Sequence, residues 1–464
     1  MTSGDLDAAV VLLRSADDAS ERGFQAMQDV ARRRARRLRE LGFPSAEAAA
    51  LVHRTSAETD QLIERVIRAE IARVEELRSR RGRAVDAETN AAGLADAAAP
   101  RTAAGVRPAR VPRVVSVEVD PLSRRFQDYG DDNSSDENWT GGDSTFSIQL
   151  PDGRTLWIFS DTFLGIVNPD GSRPVVREEG GATVMLNNSF VVQDGDRLTT
   201  IIGGRPGAPA SLLEARDLGF TGGSVFWAGD AVMHDGHLEI AYRRHSPYGF
   251  AQGLAITRFD PADLTRPVEV RELKATSFVS WGSAVVRADG YTYVYGAEDI
   301  SETKHLRVAR IEGDSLMGTW EFYTADGQWS DREPAAANQF AGVANEFSVT
   351  RMGDAYVLVT HDTTEPLSPD IVAYAASSPL GPFEDKTVLY TTPETGAAGT
   401  YRNPNVYTSN AHAHPGVDRG SDGLLISYNV NAFASPGRKP GEPLEVYSDA
   451  SIYRPRFVTV RFAP

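Results

Sequence analysis

Two aspartates mark the open end of one predicted hairpin. Asp143 stands just before the predicted strand Ser144–Leu150, and Asp161 ends the predicted strand Thr155–Asp161. Because the strands of a hairpin run antiparallel, both carboxyl groups should point toward one mouth. Paired carboxyl groups suit glycoside hydrolysis, in which one protonates the leaving oxygen and the other activates water or attacks the anomeric carbon. The alternative is structural, with Asp143 bracing a tight turn and Asp161 accepting hydrogen bonds from backbone amides.

The same position in each later hairpin carries further polar and aromatic side chains. The start of the first strand and the end of the second should face the same mouth in every repeat. Carboxylates there could hold a sugar or adjust the pKa of a neighbouring acid, and aromatic rings could stack on sugar faces. The residues that we expect to bind substrate are Asp230, Trp227, Trp281, Glu298, Glu346, His361, His412, Asn188, Asn429 and Arg454.

Histidine spacing raises the question of a metal. His412 and His414 are two residues apart on a predicted strand, so they share a face, and His361 is followed by Asp362. Histidines scattered over strands are more often hydrogen-bonded channel residues, so we predict no metal and no cofactor. There is no nucleophile elbow for serine catalysis and no strand, glycine loop and helix for binding phosphates.

A repeated pair of strands must position these residues. Five hairpins follow one another from residue 144 to residue 429, and each of the first four is followed by two more candidate strands. Four strands per repeat is the composition of a propeller blade. The fifth repeat has one strand too few, and the predicted strand Val111–Val119 supplies it. We therefore predict a mainly β fold, a five-bladed β-propeller over residues 111–464 that the N-terminal strand closes.

The first part of the chain has a different pattern. Residues 1–82 show helical spacing, with a capping-box pattern at Thr55–Glu58 and apolar residues at steps of three and four. We predict a helical hairpin or small bundle there, used for docking or oligomerisation. Residues 83–110 are rich in Ala, Arg, Gly and Pro without periodicity, which predicts a linker.

Composition narrows the possible partners. The 464 residues carry a net charge of −16 and no cysteine, which disfavours nucleic acid and anionic membranes and excludes disulfides and thiolate chemistry. No apolar run approaches the roughly 20 residues that span a bilayer. The N-terminus lacks a signal-peptide pattern. We expect a polysaccharide partner and an extracellular or virion-associated protein, with a cytoplasmic location as the alternative.

Motifs at both ends of residues 111–464 resemble one family. Trp139-Thr-Gly-Gly-Asp143, Leu156-Trp-Ile-Phe-Ser-Asp161 and Asn187-Asn-Ser-Phe-Val-Val are similar to the opening blade of the domain of unknown function 4185. The segments Leu424–Asn431 and Tyr453–Phe457 resemble the end of that domain. It is similar to the endo-D-arabinofuranases of glycoside hydrolase family 183, which cut mycobacterial D-arabinan. The resemblance implies that Asp143 and Asp161 are the catalytic pair.

Three hypotheses for function follow. The first is a glycoside hydrolase that cleaves a furanose polymer, D-arabinan of an actinobacterial cell wall, in which Trp227 and Trp281 stack on the sugar. The second is a non-catalytic module that grips the same polysaccharide, as a component of a phage tail could. The third is a propeller used for protein contacts, which a mouth lined with apolar residues would favour.

Overall fold

The computed structural model describes residues 109–174, 183–220, 224–245, 251–273, 279–298, 303–365, 367–433 and 444–463. The predicted helical segment 1–82 and all but the last two residues of the predicted linker lie outside this part. The described chain begins with β1 (Val114–Val119) and α1 (Pro121–Gly130). The helix α1 was not predicted, although Asp120 caps it through Leu122 N and Pro121 opens it.

In the first large sheet, both aspartates stand beside the open end of the hairpin formed by its first two strands. Its strand order is β3-β4-β7-β8, all antiparallel. A smaller sheet, in the order β2-β5-β6, adjoins it. The strands of this region are β2 (Trp139–Gly142), β3 (Phe146–Gln149), β4 (Thr155–Phe159), β5 (Thr162–Leu164), β6 (Val184–Leu186), β7 (Ser189–Asp194), β8 (Arg197–Ile201), β9 (Gly203–Arg205) and β10 (Ala208–Ala210). Asp143 thus lies between β2 and β3, and Asp161 between β4 and β5.

The second and third large sheets each begin with a long hairpin. Their orders are β11-β12-β13-β14 and β15-β16-β17-β18, the latter extended by β19 and β20. The turn residues Asp235, Gly236, Asp289 and Gly290 all have positive φ, which is the conformation that favours Asp-Gly in two-residue hairpins. The strands are β11 (Val225–His234), β12 (His237–His245), β13 (Ala251–Phe259), β14 (Glu269–Leu273), β15 (Val279–Ala288), β16 (Tyr291–Glu298), β17 (His305–Glu312), β18 (Trp320–Tyr323), β19 (Trp329–Ser330) and β20 (Phe340–Ala341). Two 3₁₀ helices span Ala215–Leu218 and Glu333–Ala335.

The last two large sheets have the orders β21-β22-β23-β24 and β25-β26-β27-β1. The N-terminal β1 pairs antiparallel with the last strand, with Val117 opposite Val460. The predicted strand Val111–Val119 therefore does complete the final sheet. The elements are β21 (Phe347–Met352), β22 (Ala355–His361), β23 (Asp370–Ala376), β24 (Glu384–Thr391), β25 (Val406–Ala413), β26 (Gly423–Ala432), α2 (Glu445–Ser448) and β27 (Pro455–Phe462).

The hydrophobic core consists of apolar clusters between successive sheets. One cluster joins the first and second sheets around Phe190 and Tyr242, and another joins the last sheet to the first around Phe126 and Trp157. Three more lie between the remaining neighbours. Each sheet buries both faces, which explains strands such as β4 in which every residue is buried.

The first strands of the sheets lie side by side. β11 contacts β3 and β15, and β21 contacts β15 and β25. The rings of Phe146 and His412 join the first sheet to the last, with centroids 4.2 Å apart. The described chain is thus mainly β, as predicted. None of its helices has the length and apolar character that a membrane crossing needs.

Candidate active site

Two of the first strands, β11 and β25, each contain a break in their regular pairing. The register shifts between Ala228 and Ala231 in β11 and between Ser409 and His412 in β25. Each shift leaves two residues without a ladder partner, as in a β-bulge, and so changes the direction of their side chains. Asp230 and Asn410 occupy these unpaired positions. Bulges within β11 and β25 therefore place the polar side chains of Asp230 and Asn410 outside the regular ladders.

The two predicted catalytic aspartates are backbone neighbours. The amide of Asp143 donates to the carbonyl oxygen of Asp161 at 2.8 Å, and the amide of Ser160 donates to the carbonyl oxygen of Asp143 at 2.8 Å. The open end of the hairpin therefore brings the two residues together across the strand pair. The side chains of Asp143 and Asp161 remain partly open to solvent, while Ser144, Arg243 and Glu346 are buried. The surface around the two carboxyl groups is called the recess below.

Asp143 is held through one carboxylate oxygen. Its Oδ1 accepts hydrogen bonds from Ser144 N at 2.9 Å and from Asn410 Nδ2 at 2.8 Å. Burial, followed by the negative charge of Glu346, raises the pKa of Asp143 to about 7. The two donors act in the opposite direction because they stabilise the ionised form. Asp143 can thus hold a proton near neutral pH.

Asp161 is held in the same manner. Its Oδ1 accepts from Asn187 Nδ2 at 2.9 Å and from Trp227 Nε1 at 2.8 Å. Burial raises the pKa of Asp161 to about 6, and the two donors limit the shift. The indole of Trp227 also packs on His245, with ring centroids 4.3 Å apart. Trp227 is therefore a hydrogen-bond donor to Asp161 as well as a half-buried aromatic surface.

A buried ion pair lies next to Asp143. Arg243 Nη2 donates to Glu346 Oε1 at 2.6 Å, and both side chains are almost fully buried. Ser144 Oγ donates to the same oxygen at 2.6 Å. Ser144 follows Asp143 directly and has a φ of 54°. The carboxylate of Glu346 therefore fixes the turn that carries Asp143 and also acts on its pKa.

Asp230 has both carboxylate oxygens engaged by backbone amides. Oδ1 accepts from Ala231 N at 2.9 Å, and Oδ2 accepts from Val285 N, on the next sheet, at 2.7 Å. Burial raises the pKa of Asp230 to about 7. Asp230 links β11 to β15, so its role in the structure is to join two sheets beside the recess.

The three predicted channel histidines are buried. Burial lowers the pKa of His361 to about 4, that of His414 to about 3 and that of His412 below its ordinary value. His414 bonds to the hydroxyls of Ser147 and Ser427, and His361 Nε2 lies 3.3 Å from Thr408 Oγ1. No group of three or more potential ligands that could hold a metal occurs among the described residues.

Two of the predicted residues lie away from the aspartates. Trp281 is 1% exposed, donates to Glu333 Oε1 at 3.0 Å and packs against Phe322 in the core between the second and third sheets. This position does not suit the sugar stacking that we predicted for Trp281. Glu298 is buried at the end of β16, with His305 Nδ1 at 3.4 Å.

Three others fasten the backbone around the recess. The side-chain amide of Asn188 donates to the carbonyl oxygens of Leu213 and Phe226 and accepts from the backbone amide of Leu213. Asn429 Nδ2 donates to Gly142 O at 3.1 Å, and Arg454 Nε donates to Thr140 O at 2.8 Å. We predicted all three as substrate-binding residues. Their hydrogen bonds instead hold the segments that precede β7 and contain Asp143.

Sequence reasoning missed Asn410, which donates to Asp143 from the fifth sheet. Its only local signal is its place two residues before His412, in a strand that otherwise predicts regular alternation. Its φ of 56° belongs to the left-handed region that Asn tolerates better than most residues. The direct bonds of Arg243 to Glu346 and of Asn187 to Asp161 were not predicted either.

The fold and the site together define a mainly β protein with a recess of carboxyl groups at the ends of its first strands. A family model described as "Domain of unknown function (DUF5005)" matches residues 124–462. The chain belongs to this family. The matching model is not that of domain 4185, so the relation to glycoside hydrolase family 183 stays a prediction. No curated protein matches the chain.

Solved structures offer further similarities. A presumed hydrolase from Bacteroides ovatus is 21% identical, with a TM-score of 0.58 over 74% of this chain and 90% of that chain. A GH43_1 enzyme from Xanthomonas citri is 12% identical, with a TM-score of 0.39 over 74% of this chain and 94% of that chain. The catalytic domain of a GH62 α-L-arabinofuranosidase from Coprinopsis cinerea is 11% identical, with a TM-score of 0.40 over 76% and 96%. The Bacteroides protein therefore shares the fold of this chain.

Proposed function

We propose that the chain is a glycoside hydrolase whose reacting groups are Asp143 and Asp161. One observation carries the proposal: each aspartate binds two donors through Oδ1, while its Oδ2 accepts no hydrogen bond from the described residues. A carboxyl group fixed through one oxygen can present the other to a substrate. Two such groups, side by side in one recess, have the composition that glycosidic bond cleavage requires.

The different surroundings of the two aspartates suggest their roles. Asp143 has the higher pKa, near 7, because the Glu346 carboxylate adds to the effect of burial. Asp161 has a pKa near 6 and accepts the strong indole donor of Trp227. Asp143 would therefore protonate the leaving oxygen, and Asp161 would act ionised, as the nucleophile or as the base for water.

The proposed fold is a five-bladed β-propeller. Five large sheets in succession, apolar clusters between neighbours and the pairing of β1 with β27 support this arrangement. In a propeller the first strands surround a central channel, and their ends form a mouth. Asp143 and Glu346 each stand just before a first strand, β3 and β21, which agrees with a substrate entering at that mouth.

The substrate that we propose is D-arabinan of an actinobacterial cell wall, cut within the chain. The support is the likeness of the motifs around Asp143 and Asp161 to the endo-D-arabinofuranases. A neutral furanose polymer also fits a protein with a net charge of −16, which would repel a polyanion. Such a polymer lies outside the cell, so we propose an extracellular or virion-associated enzyme.

Digestion of purified mycobacterial arabinogalactan, followed by chromatography of the products, tests the proposal. The wild type should release arabino-oligosaccharides, and Asp143→Asn or Asp161→Asn should reduce release by a factor of about 100 or more. Asp152→Asn is the matched control, because Asp152 is exposed in the turn at the closed end of the same hairpin. Full activity in both active-site variants would contradict the assignment. Binding without release by the wild type would favour the non-catalytic alternative.

Residues 1–82 are proposed to dock or oligomerise the protein. The support is their helical pattern, with an apolar stripe that needs a partner. Light scattering of the full chain should give a molar mass that is a multiple of 50.3 kDa. A monomer at every concentration would contradict oligomerisation.

A further inference from the structure

Tyr453 has a backbone conformation that aromatic residues avoid. Its φ is 84°, in the left-handed region where a Cβ atom is crowded. Its amide donates to Val430 O at 2.8 Å, and a Cβ atom at Gly141 would lie 2.6 Å from its carbonyl oxygen. A hydrogen bond thus holds the backbone of Tyr453 to β26, and its carbonyl oxygen lies close to Gly141 in β2. A non-glycine residue kept in this conformation suggests that its side chain has a function.

The ring of Tyr453 lies beside the strands that carry the two aspartates. It packs edge-on against Phe163, with centroids 5.0 Å apart, and Phe163 pairs with Gly141 in the β2–β5 ladder. Phe163 is two residues from Asp161, and Gly141 is two residues from Asp143, so the Tyr453 ring packs on the strands that adjoin both aspartates. The negative charges of both aspartates reach the phenol, because they add to burial in raising the pKa of Tyr453.

Arg173 holds this arrangement together. Its guanidinium donates to Thr140 O at 2.9 Å and to Ile452 O at 3.3 Å, and it lies 4.7 Å from the centroid of the Phe163 ring. Thr140 and Ile452 are the residues directly before Gly141 and Tyr453. Arg173 therefore fixes the distance between the Tyr453 backbone and the aspartate-bearing ribbon.

The hydroxyl of Tyr453 makes no hydrogen bond to any residue that the structure describes, although the residue is only 7% exposed. Two other buried phenols are paired, since Tyr295 donates to Pro379 O at 2.8 Å and Tyr428 donates to Glu394, whereas the hydroxyl of Tyr242 is buried in the core without a partner. The hydroxyl oxygen of Tyr242 is closed off from solvent, whereas that of Tyr453 is not fully buried, so the Tyr453 hydroxyl is available to a ligand.

We propose that Tyr453 is a substrate-binding residue, whose hydroxyl donates a hydrogen bond to an oxygen of the sugar bound between Asp143 and Asp161. The inference rests on the proposed hydrolase function. An ionised carboxylate can only accept hydrogen bonds, whereas a sugar also offers acceptor oxygens. Tyr453 supplies the donor for these oxygens, and its raised pKa keeps the phenol protonated throughout the range in which the aspartates titrate.

Tyr453→Phe removes the hydroxyl and keeps the ring. Tyr242→Phe is the matched control. The hydroxyl of Tyr242 likewise has no partner, but it is buried in the core between the first two sheets, where no ligand reaches it. Neither substitution removes a hydrogen bond within the described chain, so neither should lower the unfolding temperature. On arabinogalactan, kcat/KM should fall about 10-fold in Tyr453→Phe and stay unchanged in Tyr242→Phe. The dissociation constant for arabinogalactan, measured calorimetrically, should rise in Tyr453→Phe alone.

The outcomes separate this inference from the proposed function. A wild type that cleaves, with Tyr453→Phe equally active, would overturn the role of Tyr453 and leave the hydrolase intact. A wild type that binds without cleaving, with weaker binding in Tyr453→Phe, would support Tyr453 and overturn hydrolysis. Neither binding nor cleavage by the wild type would overturn both for this polymer. Equal losses in Tyr242→Phe would mean that the effect of Tyr453→Phe is not local.

Discussion

The backbone amide of Asp143 donates to the carbonyl oxygen of Asp161 at 2.8 Å, so the two carboxyl groups are attached to neighbouring points of one strand pair. Their separation is therefore fixed by backbone geometry, while their surroundings come from different sheets. Asn410 and Glu346 act on Asp143, and Trp227 acts on Asp161. Residues joined in this way can differ in pKa without moving apart.

The pH dependence of hydrolysis should be bell-shaped. Asp161 must be ionised, so kcat/KM should fall below a pH of about 6, and Asp143 must be protonated, so it should fall above about 7. Initial rates at low substrate concentration between pH 4 and pH 9 measure both limbs. A profile that is flat from pH 5 to pH 8 would contradict these roles.

Glu346→Gln should move the alkaline limb to lower pH. The charge of Glu346 raises the pKa of Asp143, so its removal lets Asp143 ionise earlier. Breaking the buried pair with Arg243 should also cost about 3–5 kcal/mol of unfolding free energy. Glu239→Gln is the control, since the buried Glu239 pairs with the partly exposed Arg258 on the second sheet. It should lose stability with no change in the pH profile, and a shift of the limb there would contradict the argument.

Two substitutions at Asn410 separate its side chain from its backbone. Asn410 Nδ2 stabilises ionised Asp143. Both Asn410→Gly and Asn410→Ala should therefore raise the pKa of Asp143 and move the alkaline limb of the pH–rate profile to higher pH. The φ of 56° suits glycine but not alanine, so the alanine variant should be less stable by about 1 kcal/mol. Chemical denaturation and pH–rate profiles of both variants measure these effects. An unchanged limb in both would show that the bond to Asp143 has no effect on its titration.

Asp143→Asn should stabilise the protein increasingly as the pH rises. The pKa of Asp143 is about 7 in the folded chain, against 3.8 for the ordinary group. The folded state therefore keeps a proton that the unfolded state releases. The stabilisation linked to this proton is complete below about pH 4 and is lost as the pH approaches 7.

Asparagine mimics the protonated form, so the gap in unfolding free energy between variant and wild type should widen from pH 4 to pH 7. The slope should be at most about 1.4 kcal/mol per pH unit. Denaturant titrations at three pH values measure it, with Asp152→Asn as the exposed control. A constant gap would mean that Asp143 is ionised throughout.

The anomeric configuration of the product should report the role of Asp161, because retention requires Asp161 to attack the sugar. Retaining enzymes hold their carboxyl groups about 5–5.5 Å apart, and inverting enzymes need about 6.5–9.5 Å. Proton NMR of the first product released from arabinogalactan distinguishes the two outcomes. Inversion would mean that Asp161 activates water rather than attacking the sugar.

Local sequence patterns predicted the hairpins and the place of the two aspartates. Alternating apolar residues and a Pro-Asp-Gly turn suffice to predict that Asp143 and Asp161 stand at one end of a strand pair. The bond between their backbones is a direct consequence of that register. The pairing of the N-terminal strand with the last one was predictable too, because the final repeat contained too few strands.

The environment of the aspartates depended on tertiary structure. Trp281 was predicted to face the mouth, but the register shift between Trp281 and Ala284 accompanies an indole buried in the core. A bulge changes the face of every residue beyond it, and alternation in the sequence does not reveal where a bulge falls. Ser144 meets Glu346 across 202 residues, and Asn410 meets Asp143 across 267. The sequence by itself thus determined that Asp143 and Asp161 are neighbours at one end of a hairpin, whereas only the packing of the sheets decided which donors and charges set the pKa of each, because those groups come from distant strands.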